Sequence, residues 1–327
     1  MSTKDLSKRI IEGLQARLPE QRKTQREALG LLVATMLDVR SPNTVHLASG
    51  LPREADRLDM RLQWVSRALG NRLIIPGEVM FPFAREMLER VSEHKQALVV
   101  SMDQTQVSAR FQMLMVSLRH KNRALPMAWC VKETQGAIGF AEQKVLLDQL
   151  RALLPEGVKL VLMGDRFYGT PDLIDYCRIQ KWDWRLRLKD NYTLWVDGKE
   201  TTLKALSACE QRFLTNVSIT RKATRTGIGI VHEKGHKEPR IIAMSQKPDY
   251  YKTMDYGMRW GIECMFSDLK SRGFSLEESQ LRYADRVERL VLVMALALYW
   301  ATSSGLWDEL NKPMPYEKKI TKKRNVL

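Results

Sequence analysis

The sequence predicts an α/β fold: a sheet of mixed direction, preceded by a helical segment and carrying a β-rich insertion. Three observations lead there. Residues 1 to about 90 are helical and basic, after which the pattern shifts to strand, hairpin, helix, strand, helix, strand. From Asn191 to about Gln246 the helical period disappears into short β-like runs. Long apolar-periodic segments then return. The expected organisation is therefore 1–90 helical, 91–190 the first part of the core, 191–246 the insertion, 247–303 the closing helices, and 304–327 a basic tail.

Taken in order, the first 90 residues hold turn signals at SPN (Ser41 to Asn43) and SGLP (Ser49 to Pro52). Short helices around TVHLAS and READRLDMRLQWVSRAL fit either a helix-turn-helix-like DNA reader or a small bundle packed on the main domain. QALVVSMDQT has the apolar, β-branched character of a buried strand. RFQMLMVSLRH and RALPMAWCVK, separated by Lys121 and Asn122, predict a hairpin. EQKVLLDQLRALL is an amphipathic helix ending at Pro155, and KLVLMGDRF is a second buried strand. A helix through DLIDYCRIQ and a strand at WDWRLRLK follow. In the insertion, TLWVDGK, RFLTNVSITRKA, GIGIVHE and PRIIAMS are short strands with Gly and charged turns. The run LVLVMALALYWA, Leu290 to Ala301, is shorter than the roughly 20 residues that span a bilayer and is expected to be a buried helix. The tail EKKITKKRNVL is expected to be flexible.

The chain has 327 residues, with 53 basic against 38 acidic, a net charge of +15. That excess suggests a polyanionic partner, since neutralising phosphates releases counterions. Four scattered cysteines without a CxxC pair fit reduced thiols in a cytoplasmic protein, and neither a signal peptide nor a membrane role is expected. HEKGH, His232 to His236, matches a zinc-peptidase pattern that requires a helix. Alternation before it, Gly235 within it and Pro239 after it predict a hairpin turn instead.

Two expected strands end in carboxylates, Asp103 and Asp165. An unpaired carboxylate after a buried run is costly, so each needs a reason: a salt bridge, a turn or cap, or a site at the carboxyl ends of the strands. A third carboxylate lies in YGMRWGIECMFSDLK, Tyr256 to Lys270. On one continuous helix at roughly 100° per residue, Tyr256, Arg259, Glu263 and Lys270 share an arc of roughly 60°. Met254, Met258, Ile262, Met265, Phe266 and Leu269 fill a neighbouring arc that faces a core. A solvated Arg259–Glu263 pair would explain two of the four polar residues. Three carboxylates together suit hard divalent cations, and a pair of such ions is one route to phosphoryl transfer.

Asp103, the GDRFY block around Asp165, and the Y-x2-R-x3-E-x6-K spacing of Tyr256, Arg259, Glu263 and Lys270 resemble the bacterial insertion-sequence transposases of the "four" family, over residues 96 to 300. The resemblance implies a ribonuclease-H-like core and a DDE triad of Asp103, Asp165 and Glu263 holding two Mg2+ ions, with Mn2+ as a substitute. It implies that Tyr256, Arg259 and Lys270, supported by Arg166, grip DNA phosphates at the transposon end. It also implies cut-and-paste cleavage, through a hairpin in many members, followed by strand transfer by a homodimer on DNA. Such a protein would act in the cytoplasm at the bacterial nucleoid. Members stack an insertion tryptophan on a flipped base, for which Trp195, near the basic run SITRKATR, is the candidate; Trp182 and Trp184 are expected in the core. The alternatives are a nuclease of the same fold without strand transfer and a catalytically silent DNA-binding protein.

Overall fold

The computed structural model describes residues 2–53, 57–93 and 96–311. The chain opens with five helices: α1 (Thr3–Arg17), α2 (Lys23–Val39), α3 (Thr44–Gly50), α4 (Leu58–Leu69) and α5 (Pro76–Ser92). Their starts follow local chemistry. Ser2 accepts a hydrogen bond from Asp5 N, Asn43 accepts one from Val45 N, and Pro76 opens α5, where its missing N–H costs nothing. Gly30 lets α1 and α2 approach closely, because a Cβ there would run into the Ile11 side chain. The helix read from READRLDMRLQWVSRAL starts only at Leu58, and residues 54–56 lie outside the described residues. Its end docks on the core: Arg289 donates to the Leu69 carbonyl, and Arg286 to Ser66.

Among the described residues, ten strands form one sheet: β1 (Leu98–Gln106), β2 (Phe111–His120), β3 (Arg123–Glu133), β4 (Leu160–Gly164), β5 (Asp183–Arg187), β6 (Thr193–Val196), β7 (Lys199–Thr202), β8 (Gln211–Ile219), β9 (Thr224–Val231) and β10 (Arg240–Met244). Their order is β3-β2-β1-β4-β5-β10-β9-β8-β6-β7. Strands β1, β4 and β5 run parallel, linked by crossovers through α6 (Phe140–Leu153) and α7 (Pro171–Ile179), while β2 and β3 form the expected antiparallel hairpin. The strands of 191–246 extend this same sheet through the β5–β10 pairing. Asp197 and Gly198, both with positive φ, turn β6 into β7 as a two-residue hairpin loop requires. HEKGHKEP connects β9 to β10, with Gly235 at φ 90. It is a turn, so the histidines do not share a helical face and the zinc-peptidase geometry is absent there. Trp182 and Trp184 are buried, as expected.

A short helix α8 (Leu203–Leu206) lies after β7, and α9 (Tyr250–Met254), α10 (Trp260–Leu269) and α11 (Ala284–Asn311) close the chain. The apolar run at Leu290 is the centre of a 28-residue helix that continues past the expected boundary at 303. Ala284–Gly305 is long and apolar enough to cross a membrane by length and composition. Its apolar residues, Leu290 to Ala297, are buried instead, with α11 packed on α2, α5 and β3. The tail EKKITKKRNVL lies outside the described residues. All four cysteines are free thiols.

Candidate active site

The site is organised first by strand register. Met102 on β1 faces Gly164 on β4, and Gly164 faces Leu186 on β5. One position further along each parallel strand stand Asp103, Asp165 and Arg187. With neighbouring strands about 4.8 Å apart, these three form a row at the carboxyl edge of the sheet, where α/β proteins bind ligands.

The turn after β4 is built by its own sequence. Asp165 Oδ1 accepts from Phe167 N at 2.8 Å, and Asp165 O accepts from Tyr168 N at 3.0 Å. Thr170, rather than Asp165, caps α7 by accepting from Leu173 N. Gly164 leaves room for Tyr168, whose Cβ would lie 2.7 Å from a Cβ at that position. Gly169 passes directly under the backbone of Arg187.

The second contribution arrives from the opposite end of the chain, and here the helical expectation needs correction. Tyr256 to Lys270 is not one α-helix: Asp255–Arg259 is a 3-10 helix that leads into α10. In a 3-10 turn residues i and i+3 eclipse, so Tyr256 and Arg259 still share a face, with the Arg259 guanidinium carbon 5.7 Å from the phenol ring centroid. Arg259 then reaches two carboxylates at once. Its Nη1 donates to Asp103 Oδ2 at 2.7 Å and its Nη2 to Glu263 Oε1 at 2.6 Å. The Arg259–Glu263 pair is therefore not a solvated one, since the Arg259 side chain is only 12% exposed. Gly261 permits the close seating of α10, because a Cβ there would sit 3.0 Å from Arg123 O.

Lys270 is set apart. It follows α10 as its C-cap and pairs with Glu277 at 3.0 Å. Seven residues of helix place it on the side of Glu263 but about 10 Å further along the axis. Trp195 lies on β6, opposite Glu200 and Ser218, with β8 and β9 between its strand and β10. It lines neither of the two clefts at the site.

A cleft of about 270 Å³ is lined by Asp165, Arg166, Arg187, Arg240, Tyr256 and Trp260, together with Arg259, His236 and Glu238. A second, of about 370 Å³, shares Arg166, Arg187 and Glu238 and continues to Lys189 and Lys204. Glu238, on the β9–β10 turn, holds Arg166 at 2.6 Å and Arg187 at 3.4 Å. Arg187, Arg240 and Trp260 escaped the sequence reading. WDWRLRLK did carry a signal, because Arg185 and Arg187 alternate onto one face of β5. Trp260 directly follows Arg259 and is 65% exposed, the exposed aromatic of this cleft that Trp195 is not.

Burial pushes the Asp103 carboxyl up to about 6 against the opposing pull of Arg259, and the neighbouring Asp165 and Glu263 charges add to the rise. The Tyr168 phenol is also raised, by burial and by Asp103 and Asp165, and its buried hydroxyl has no hydrogen-bond partner among the described residues. Burial alone would lower the Arg259 guanidinium, but Tyr256, Asp103 and Glu263 outweigh it and raise it. For Asp103 the folded protein keeps a proton up to about pH 6 that the unfolded chain releases near 3.8. Stability from this group is therefore full below about 3.8 and lost as pH rises through 6. In metal-free buffer, Asp103→Asn should gain stability relative to the parent between pH 4 and 6 and hold a constant difference above about 6.5. Urea titrations across that range measure it, and parallel stability curves would contradict it.

Among the described residues, no group of three or more His, Cys, Asp or Glu side chains is arranged to hold a metal ion. The donor chemistry nevertheless suits a hard cation: Asp103 and Glu263 offer carboxylate oxygens to one positive group, and Asp165 is near enough to raise Asp103. In this conformation the positive group between Asp103 and Glu263 is Arg259.

Residues 139–300 match the family model described as "Transposase DDE domain". That span includes Asp165, Arg166, Tyr256, Arg259, Glu263 and Lys270, and starts after Asp103. No curated protein matches the sequence. Among solved structures, the crystal structure of human ENDOV is similar at 10% identity and a TM-score of 0.24, covering 68% of this chain and 98% of that one. Residues 139–300, just under half of the chain, are thus similar to a transposase DDE domain.

Proposed function

We propose that the chain is a DNA transposase of the insertion-sequence "four" type, with Asp103, Asp165 and Glu263 as its catalytic and metal-binding carboxylates. The observation that carries this reading is the convergence of carboxylates from three distant segments: two by strand register, and Glu263 joined to Asp103 through Arg259. The strand order β3-β2-β1-β4-β5, in which β2 alone runs against the common direction of the other four, supports a ribonuclease-H-like arrangement. Two Mg2+ ions, or Mn2+ in their place, would supply Lewis-acid activation of the attacking oxygen and stabilisation of the leaving one.

The chain's own residues do the positioning. Arg166 and Arg187 line the cleft beside Asp165 and are suited to hold the phosphate groups flanking the reacting one. Tyr256 and Arg259 border the same cleft, and Lys270 would meet DNA further along α10. Trp260 offers an exposed face to an unstacked base, a role better supported by its position than that of Trp195. In cleavage, a water oxygen forms a new bond to phosphorus while the 3′ oxygen departs and takes a proton. In strand transfer, that 3′-hydroxyl attacks a target phosphodiester and displaces the next 3′ oxygen. Joining two element ends calls for a homodimer on DNA, and a hairpin intermediate fits the same chemistry.

The test is incubation of the protein with DNA carrying the element's terminal repeats, with and without Mg2+. Metal-dependent cleavage plus joining is the expected result. Cleavage without joining would reduce the reading to a nuclease, and DNA binding without either would reduce it to a silent DNA-binding protein.

A further inference from the structure

Arg259 occupies the place where the proposed reaction needs a metal ion. Its guanidinium takes Asp103 Oδ2 and Glu263 Oε1, two of the oxygens a divalent cation would use. Two cations cannot share those oxygens without strong repulsion at such short range. Arg259 must therefore leave before the site is loaded, and its surroundings determine when it can. The cleft that Arg259 already borders holds Arg166 and Arg187, which share Glu238, and Arg240, which pairs with Glu233. A displaced guanidinium would find Glu238 and Glu233 already engaged, and the remaining carboxylate of the lining is Asp165, itself one of the proposed metal ligands. An anion in the cleft removes that obstacle.

We propose that Arg259 is an internal counter-cation that latches the metal-free site, and that a DNA phosphate entering the cleft draws it off Asp103 and Glu263 so that metal binding and DNA binding reinforce each other. Arg259 is in this sense a positioning residue with two alternative partners, carboxylates in the free protein and a phosphodiester in the complex. Coupling of this kind is reciprocal: whatever the phosphate adds to metal affinity, the metal adds to DNA affinity. The consequence is a protein that holds divalent ions poorly until DNA is in place. This inference rests on the reading of Asp103 and Glu263 as metal ligands.

The test measures Mn2+ binding to the full chain without DNA, following free Mn2+ by electron paramagnetic resonance. Arg259→Gln is expected to bind Mn2+ at least about tenfold more tightly than the parent, because the competing cation is gone. Adding Asp103→Asn to that variant should abolish the gain. Arg259→Lys, which keeps a charge but lacks the fork that spans both carboxylates, should fall between the two. Melting provides a second readout: Arg259→Gln should melt below the parent without metal and be stabilised more by Mn2+. Equal Mn2+ affinity in the parent, Arg259→Gln and Arg259→Lys overturns the latch while leaving the metal site standing. If no Mn2+ binding in any of them depends on Asp103, the metal reading itself fails and the latch falls with it. Should Arg259→Gln not fold, Arg259→Lys alone decides, and an affinity no higher than the parent's refutes the proposal.

Discussion

Asp165→Asn is expected to lower DNA cleavage by at least about a thousandfold while the fold and the affinity for DNA survive. The substitution separates two roles that this side chain combines. Asp165 Oδ1 shapes the turn after β4 by accepting from Phe167 N. An Asn carbonyl oxygen can accept the same bond, so the turn should persist and stability should move by no more than about 1 kcal/mol. The negative charge is lost, and with it the ligand chemistry that a hard cation requires. A residue that serves only as a turn former would tolerate Asn with full activity. Asp165→Ala makes the complementary case, since it removes both the acceptor and the charge and should cost stability as well as cleavage. Urea unfolding, DNA binding in Ca2+ and cleavage in Mg2+ measured on both variants distinguish the two roles. Retention of cleavage by Asp165→Asn would remove Asp165 from the catalytic set.

How much of this was legible in the sequence follows the range of the interactions involved. The hairpin at Lys121 and Asn122, the buried strands, and the turn at HEKGH depend on neighbours in the chain, and the structure has them where periodicity and turn residues placed them. Tyr256 to Lys270 shows where local reading fails. Its apolar spacing suits an α-helix, yet the first turn tightens to 3-10, and the alignment of Tyr256 with Arg259 survives because three-residue spacing eclipses in that geometry. Arg187 was hidden for a different reason. Nothing near it in the chain says that β5 lies beside β4 in the register that sets Arg187 next to Asp165; that is a property of pairing between distant segments. The bond from Arg259 to Asp103, 156 residues away, is of the same kind. Trp195 lies in the expected insertion and Trp260 does not, and the exposure of Trp260 within the cleft is a product of folding.

Gly169→Ala is the largest structural effect expected from a single methyl group. A Cβ at residue 169 would clash with the carbonyl oxygen of Arg187 and lie 2.9 Å from its carbonyl carbon. Both are backbone atoms, so no side chain can rotate away. Strand β5 has little freedom to yield, because Arg187 is paired with Ile242 on β10 and Leu188 N donates to Ile241 O. The turn has little more, since Thr170 caps α7 and Asp165 closes the turn onto Phe167 N and Tyr168 N. Relief therefore means displacing either Arg187 or the segment that carries Asp165 and Arg166, and each of these lines the cleft. A loss of about 3 kcal/mol or more is expected, in the range of backbone-level overpacking. It should appear as a lower urea midpoint with an unchanged slope, accompanied by weakened cleavage in the fraction that remains folded. Gly77→Ala is the control: a Cβ there meets nothing within 4 Å, inside α5, so that variant should be neutral or slightly more stable. If Gly169→Ala and Gly77→Ala unfold at the same urea concentration with cleavage intact, the close approach of residues 169 and 187 does not hold the two edges of the site together.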